Sequence, residues 1–180
     1  MAAGFDGRKV LITGTGSGIG QATAQKLSSL DSTQLPFNCA EINPANIPIT
    51  EATDAYCTRL MVDILGTFNM SRACVPLLST YRVTADSAGT RGTRFTTQKK
   101  HAIASFTKEL AMELSPCEIR VNAVAPEPTD TLTMADNVEG RDANNRFVSG
   151  VSLRRLGQVS EVACTNLADY MRGGENLGLE

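Results

Sequence analysis

The chain has a single histidine, His101, and five scattered cysteines, none of them in a C-x-x-C pair. That excludes a zinc site built on the usual Cys/His spacings. An odd, dispersed set (Cys39, Cys57, Cys74, Cys117, Cys164) also gives no disulfide framework and points to a reducing, cytoplasm-like compartment. Charge of one sign is lacking too. Lys and Arg number 17 against 19 Asp and Glu, a formal net charge of -2, so the basic footprint of a nucleic-acid binder is missing. No apolar run approaches the ~20 residues of a membrane span. Met1–Asp6 lacks the basic start and apolar core of a signal peptide. Metal, nucleic acid and membrane are therefore set aside as partners.

What is present suits one soluble domain over residues 1–180, with 42% hydrophobic residues and length enough to bury a core. "KVLIT" (Lys9–Thr13) predicts a buried strand and Gly18–Leu30 a helix with Ala22, Leu27 and Leu30 toward one side. Gln34–Ile42 predicts a second strand despite Pro36. Thr50–Leu78 predicts a long helix, with Thr50 as N-cap and Glu51 in the first turn. Tyr81–Ala85 reads as a weak strand, and "DSAGTRGTRFTTQ" as a loop. Lys100–Leu114 is the clearest amphipathic helix, with Ile103, Phe106, Leu110 and Leu114 at helical spacing. Glu118–Pro126 predicts a strand, residues 127–150 an irregular segment, Ser160–Tyr170 a last helix and "NLGLE" a final strand. Alternating strands and helices predict an α/β layer fold with a mostly parallel sheet.

The strand-to-helix junction "TGTGSGIG" carries the first chemical signal. A turn directly after a strand can bring backbone N–H groups close to a pyrophosphate only where side chains do not intervene. Gly14, Gly18 and Gly20 meet that need, and Gly18 opens a helix whose positive end faces the phosphates. The spacing is G-x-x-x-G-x-G, and a glycine-rich turn with no ligand is the plain alternative.

"TGTGSGIG" resembles the TGxxxGIG signature of the short-chain dehydrogenases/reductases. Further segments agree in order. "FNCAEI" (Phe37–Ile42) resembles the family's NNAG strand, and "VDILGTFNMSRACVPLL" (Val62–Leu78) its long helix beginning near N-x-x-G-T. "KKHAIASFTKELAMEL" (Lys99–Leu114) resembles the helix with the YxxxK lysine, and "IRVNAVAPEPTDT" the segment ending in PG-x-x-x-T. "LRRLGQVSEVA" resembles the segment after the substrate lid. The branch with 3-oxoacyl-carrier-protein reductases is the most similar. The resemblance implies a Rossmann-like doubly wound parallel sheet. It also implies NAD or NADP as cofactor, a small carbonyl or alcohol substrate, hydride transfer, and homo-oligomers paired through the two long helices. It assigns cofactor contacts to Gly14, Ser17, Gly18, Ile19, Gly20, Asn38, Ala40, Pro126 and Thr129, and catalytic positions to Ser87, Lys99, Lys100 and Asp63. Ser17 offers no positive charge to a 2′-phosphate, which tilts the cofactor toward NAD.

The chain departs from that pattern. Four residues before Lys99 and Lys100 stand Phe95 and Thr96, neither a tyrosine; Phe95 has no hydroxyl, and the Thr96 hydroxyl is far too weak an acid. The register stays open between Phe95/Lys99 and Thr96/Lys100, the second fitting "KHA" slightly better. Asp63 replaces the family asparagine, and Glu41 and Glu127 replace glycines, where two carboxylates would repel a pyrophosphate. The plain readings make Lys99 and Lys100 solvated at a helix start, Asp63 a solvated or capping carboxylate, Ser87 a turn residue, and Cys39 and Cys74 small buried fillers. Only fourteen residues separate Gly20 from Leu35, against about 30 or more for a full βαβ unit, so the family's second and third strands have no counterpart. Asp31 is a poor substitute for the ribose-binding acid those strands carry. Joining the first strand directly to the family's fourth forces the intervening helix either to the other face of the sheet or into a left-handed crossover. Two function classes follow: an oxidoreductase of this family, or a non-catalytic remnant acting as a binding or assembly module.

Overall fold

In the computed structural model, residues 10–28, 35–42, 47, 49–77, 84–86, 94–132, 148–149 and 151–171 are described. Their elements run β1 (Val10–Thr13), α1 (Gly18–Ser28), β2 (Leu35–Asn38), α2 (Asp54–Cys74), β3 (Thr84–Asp86), α3 (Arg94–Leu114), β4 (Asn122–Val124) and α4 (Val159–Met171). Short 3-10 turns at Ile49–Glu51, Val75–Leu77 and Ser115–Cys117 flank the long helices. The sheet is parallel in the order β1-β2-β3-β4, which among the described residues places β1 at one edge. Thr13 pairs with Asn38, Asn38 with Ala85, and Asp86 with Val124. Pro36 lies inside β2 opposite Leu11 of β1, and the described pairing of β2 with β3 covers Phe37 and Asn38.

Side chains of a strand alternate between the two faces of the sheet. Phe37 packs against Leu27 of α1 and is flanked by Val10, Ile12, Cys39 and Leu167 of α4. Its neighbour Asn38 points the other way and donates to Thr67 of α2. Thus α1 and α4 cover one face and α2 and α3 the other, where Cys74, Leu110, Leu114, Ile119 and Val121 form a second core cluster. Successive crossovers that advance in the same direction through α1 and α2 therefore have opposite hands. Of the two outcomes open to the short first crossover it takes the reversed hand, which keeps α1 on the α4 face: Asn166 Nδ2 donates to Thr23 Oγ1 at 3.1 Å.

Several boundaries differ from the sequence expectation. The N-cap of α2 is Thr53, not Thr50: Thr53 is extended (φ -98, ψ 164) and its hydroxyl accepts from Tyr56 N–H, which leaves Thr50 in the 3-10 turn. α3 begins at Arg94, so the end of the expected loop is helical. The strand expected over Glu118–Pro126 shrinks to Asn122–Val124, since Glu118 takes a left-handed conformation (φ 58) that closes the preceding turn. Leu30, Asp31 and "NLGLE" lie outside the described residues.

α4 is held at its start by one carboxylate. Glu161 accepts from Arg155 at 2.6 and 2.9 Å and from the Gln158 backbone N–H at 2.7 Å, the reaching-back half of a capping box. The Arg155 hydrogen bonds, followed by that of Gln158, lower its pKa from 4.5 to about 2. A depressed carboxylate contributes stability above its unfolded pKa and loses it as pH falls through the folded one. Glu161→Gln should therefore lower the Tm slightly near neutral pH, as expected for an exposed pair, with the gap to the parent closing as pH falls from 4.5 toward about 2. A gap that stays constant over that range in a pH series of thermal melts would contradict this role.

Candidate functional site

Three segments meet at the carboxyl ends of the strands, where ligands of open α/β sheets bind. The first is the turn 14–17, the second 39–42 after β2, and the third 125–131 after β4. Gly14 (φ +68) lies so close to the second segment that a Cβ there would sit 2.7 Å from Ala40 Cα. A Cβ on Gly20 would meet Gly14 O at 2.2 Å, so the start of α1 can seat under the turn only without one. Gly18 (φ +56) faces Thr131, 3.5 Å from its would-be Cβ. The third segment is pinned from behind, with Asp130 N–H donating to Gly157 O and Gly157 N–H to Pro128 O.

Asn38 joins the turn to α2. Ala40 N–H donates to Thr13 Oγ1, Thr13 Oγ1 to Asn38 Oδ1, Asn38 Nδ2 to Thr67 Oγ1, and Thr67 Oγ1 to Asp63 O. Asn38 and Thr67 are buried, so each must be paired, and this relay pairs both.

The relay ends beside four charges. Lys99 Nζ lies 2.6 Å from Asp63 Oδ2 and 2.9 Å from Glu41 Oε1, and donates to Ile42 O at 2.8 Å. Lys100 Nζ lies 2.6 Å from Glu41 Oε2. Asp63 Oδ1 accepts from Ile42 N–H. The side chains of Lys99, Lys100 and Asp63 are 2%, 6% and 4% exposed, whereas that of Glu41 keeps 27%. Burial pushes the Glu41 carboxyl up, but Lys100 and then Lys99 outweigh it and hold it below its ordinary value. A recess of about 10 Å³, room for one water, opens between Asn38, Ala40, Glu41, Asp63, Thr67 and Lys100.

These positions correct the plain readings of three residues. Lys99 and Lys100 are not solvated, because they extend the buried stripe of α3 backward from Ile103 through helical spacing. Asp63 is neither solvated nor a cap; it belongs to a buried stripe of α2 with Leu60, Thr67, Ser71 and Cys74. Cys74 is buried as expected, while Cys39 is only half-buried. Ser17 is exposed, Ile19 and Pro126 half-buried, and Thr129 buried with its hydroxyl on Glu127 O. Glu127 itself is exposed. Positions 95 and 96 fall in the first turn of α3, and Ser87 lies outside the described residues. Glu41 as counter-ion was missed in sequence; two lysines one turn before Ile103 on an amphipathic stripe were the signal that called for one. Among the described residues, no cluster of three or more His, Cys, Asp or Glu could hold a metal ion.

Removing the central cation leaves Asp63 buried and uncompensated. Lys99→Met should cost about 3–5 kcal/mol in urea unfolding. A loss under about 1 kcal/mol, the scale of an exposed pair, would contradict the buried network.

The family model described as enoyl-(acyl carrier protein) reductase matches residues 19–168. Protein FixR of Bradyrhizobium diazoefficiens is 39% identical over 90 residues, covering 47% of this chain and 30% of that protein. The peroxisomal 2,4-dienoyl-CoA reductase of Pongo abelii is 28% identical over 167 residues, 84% of this chain and 57% of that one. The chain thus spans from under a third to just over half of these relatives' lengths. A 3-oxoacyl-[acyl-carrier protein] reductase with bound NAD from Brucella melitensis superposes with a TM-score of 0.71 at 28% identity, covering 90% of this chain and 83% of that one. A match over most of the chain, in sequence and in fold, places this protein in the short-chain dehydrogenase/reductase family.

Proposed function

We propose that this chain holds a nicotinamide dinucleotide by its pyrophosphate and serves hydride transfer between that cofactor and a small carbonyl or alcohol. The supporting observation is the turn itself. Gly14 and Gly20 let the strand end, the helix start and Ala40 approach within distances a side chain would forbid, which leaves backbone N–H groups at the mouth of α1. Such a cradle fits a pyrophosphate. Gly14, Ser17, Gly18, Ile19 and Gly20 would hold the phosphates, Asn38 and Ala40 would line the middle of the nucleotide, and Pro126 and Thr129 would lie toward the nicotinamide. The bound cofactor would supply or accept the hydride. Ser87 is assigned to polarising the carbonyl, and Asp63, Lys99 and Lys100 to the proton side. The Brucella relative's bound NAD and the uncharged Ser17 favour NAD over NADP. The five free cysteines suit the reducing, cytoplasm-like compartment inferred for it.

A second reading, binding without turnover, is favoured by one specific arrangement: both lysines end on carboxylates of this chain. Positions 95 and 96 also offer no phenol. NADH and NADPH fluorescence titrations should give saturable binding weaker than micromolar, NADH the tighter. Absence of saturable binding overturns the proposal, and a micromolar or tighter Kd overturns its weakness. NADH-dependent reduction of a generic diketone by the parent selects turnover, and binding without it selects the second reading. Phe95→Tyr or Thr96→Tyr alone should gain less than about a hundredfold, the low end of what a placed acid supplies.

We also propose a homo-oligomer built on α2 and α3. α2 turns Asp63, Thr67 and Ser71 inward and leaves Met61, Val62, Leu65 and Phe68 at 44–52% exposure. Such an apolar face fits a subunit interface. Light scattering should give a dimer or larger species; a clean, stable monomer would contradict it.

A further inference from the structure

We infer that Glu41 is an internal anion that occupies the lysine pair beside the glycine turn and competes with any phosphate-bearing ligand placed there. This rests on the reading of that turn as a pyrophosphate cradle. Three observations carry it. Glu41 follows Ala40 directly, and Ala40 is the residue against which Gly14 packs at backbone contact distance. The Glu41 carboxylate divides its two oxygens between the two lysines, Oε1 on Lys99 and Oε2 on Lys100, and so presents to them the bidentate anion a phosphate would offer. It is also the most exposed of the four charged groups, at 27% against 2–6% for the other three. Asp63 is fixed from two sides, by Lys99 and by Ile42 N–H, whereas Glu41 sits at the solvent edge of the same recess.

The charge balance gives the consequence. Asp63 and Glu41 cancel Lys99 and Lys100, so the cluster presents no net charge to an anion at the turn. Neutralising Glu41 leaves it with one net positive charge close to the mouth of α1, where the helix end already favours anions. The interaction of an anion with that site should then strengthen about tenfold at low salt, and the gain should shrink as salt is added.

The test compares the parent, Glu41→Gln, and the double variant Glu41→Gln/Lys100→Met, which restores the charge balance. Each is titrated with NADH by fluorescence and with inorganic pyrophosphate by thermal shift. Far-UV circular dichroism and the unliganded melt of each variant establish that it is folded. Glu41→Gln is expected to bind both probes about tenfold tighter than the parent, and the double variant to return to the parent's affinity. Tighter pyrophosphate with no NADH binding in any chain supports the competition and overturns the dinucleotide reading. Equal affinities for parent and Glu41→Gln, with NADH bound by both, overturn the competition alone. No binding of either probe by any folded chain overturns both. If Glu41→Gln does not fold, Lys100→Met alone, which leaves the cluster with one net negative charge, is compared with the double variant: pyrophosphate binding about tenfold weaker than the double variant's supports the charge argument, and equal affinity contradicts it.

Discussion

A lysine ammonium with 2% exposure needs compensating charge, and Lys99 has it from two carboxylates on two different elements. That requirement organises the site. It draws α3 onto α2 through Asp63, fixes the chain after β2 through Glu41 and both backbone groups of Ile42, and passes through Thr67 and Asn38 to the end of β1. The glycine turn is therefore tied, by hydrogen bonds and ion pairs, to helices on the far side of the sheet from α1. Breaking one buried charge should propagate along the whole mouth of the sheet.

The short first crossover is the second constraint. With fourteen residues between Gly20 and Leu35, the strand that begins the chain's sheet becomes the neighbour of what the family places fourth. Keeping α1 against α4 preserves the apolar cluster of Leu27, Phe37 and Leu167 and the seating of Gly20 under the turn. The cost is a crossover of unusual hand and a first strand at the edge of the described sheet, with Leu11 52% exposed. The fold thus retains the glycine turn, and among the described residues no strand lies beyond β1.

Much of this was legible in the residues. The parallel α/β layering follows from alternating strand and helix patterns, and the family from collinear motifs that the match over 19–168 supports. α3 was readable because Ile103, Leu110 and Leu114 mark its buried face at helical spacing. α2 was harder to place, since the middle of its buried stripe (Asp63, Thr67, Ser71) is polar while Met61, Val62, Leu65 and Phe68 face outward; Thr53 wins the cap over Thr50 by local backbone geometry rather than residue type. The place of the two lysines on the stripe calls for a counter-ion, but the identity of that counter-ion is not legible. Glu41 and Lys99 are 58 positions apart in sequence, and only the pairing of β2 with its neighbours brings them together. Residue type alone made Glu41 an intruder at a glycine position, whereas its partners make it a structural counter-ion.

Lys99 and Lys100 turn their charge inside the protein, onto Asp63 and Glu41. The most direct measurement is 15N NMR of the lysine side-chain ammonium groups. Two Nζ signals should exchange slowly with water at neutral pH, ignore added salt, and move when Glu41 is replaced by Gln. If every lysine ammonium instead exchanges rapidly and responds to salt as a surface group does, the buried network does not exist in solution.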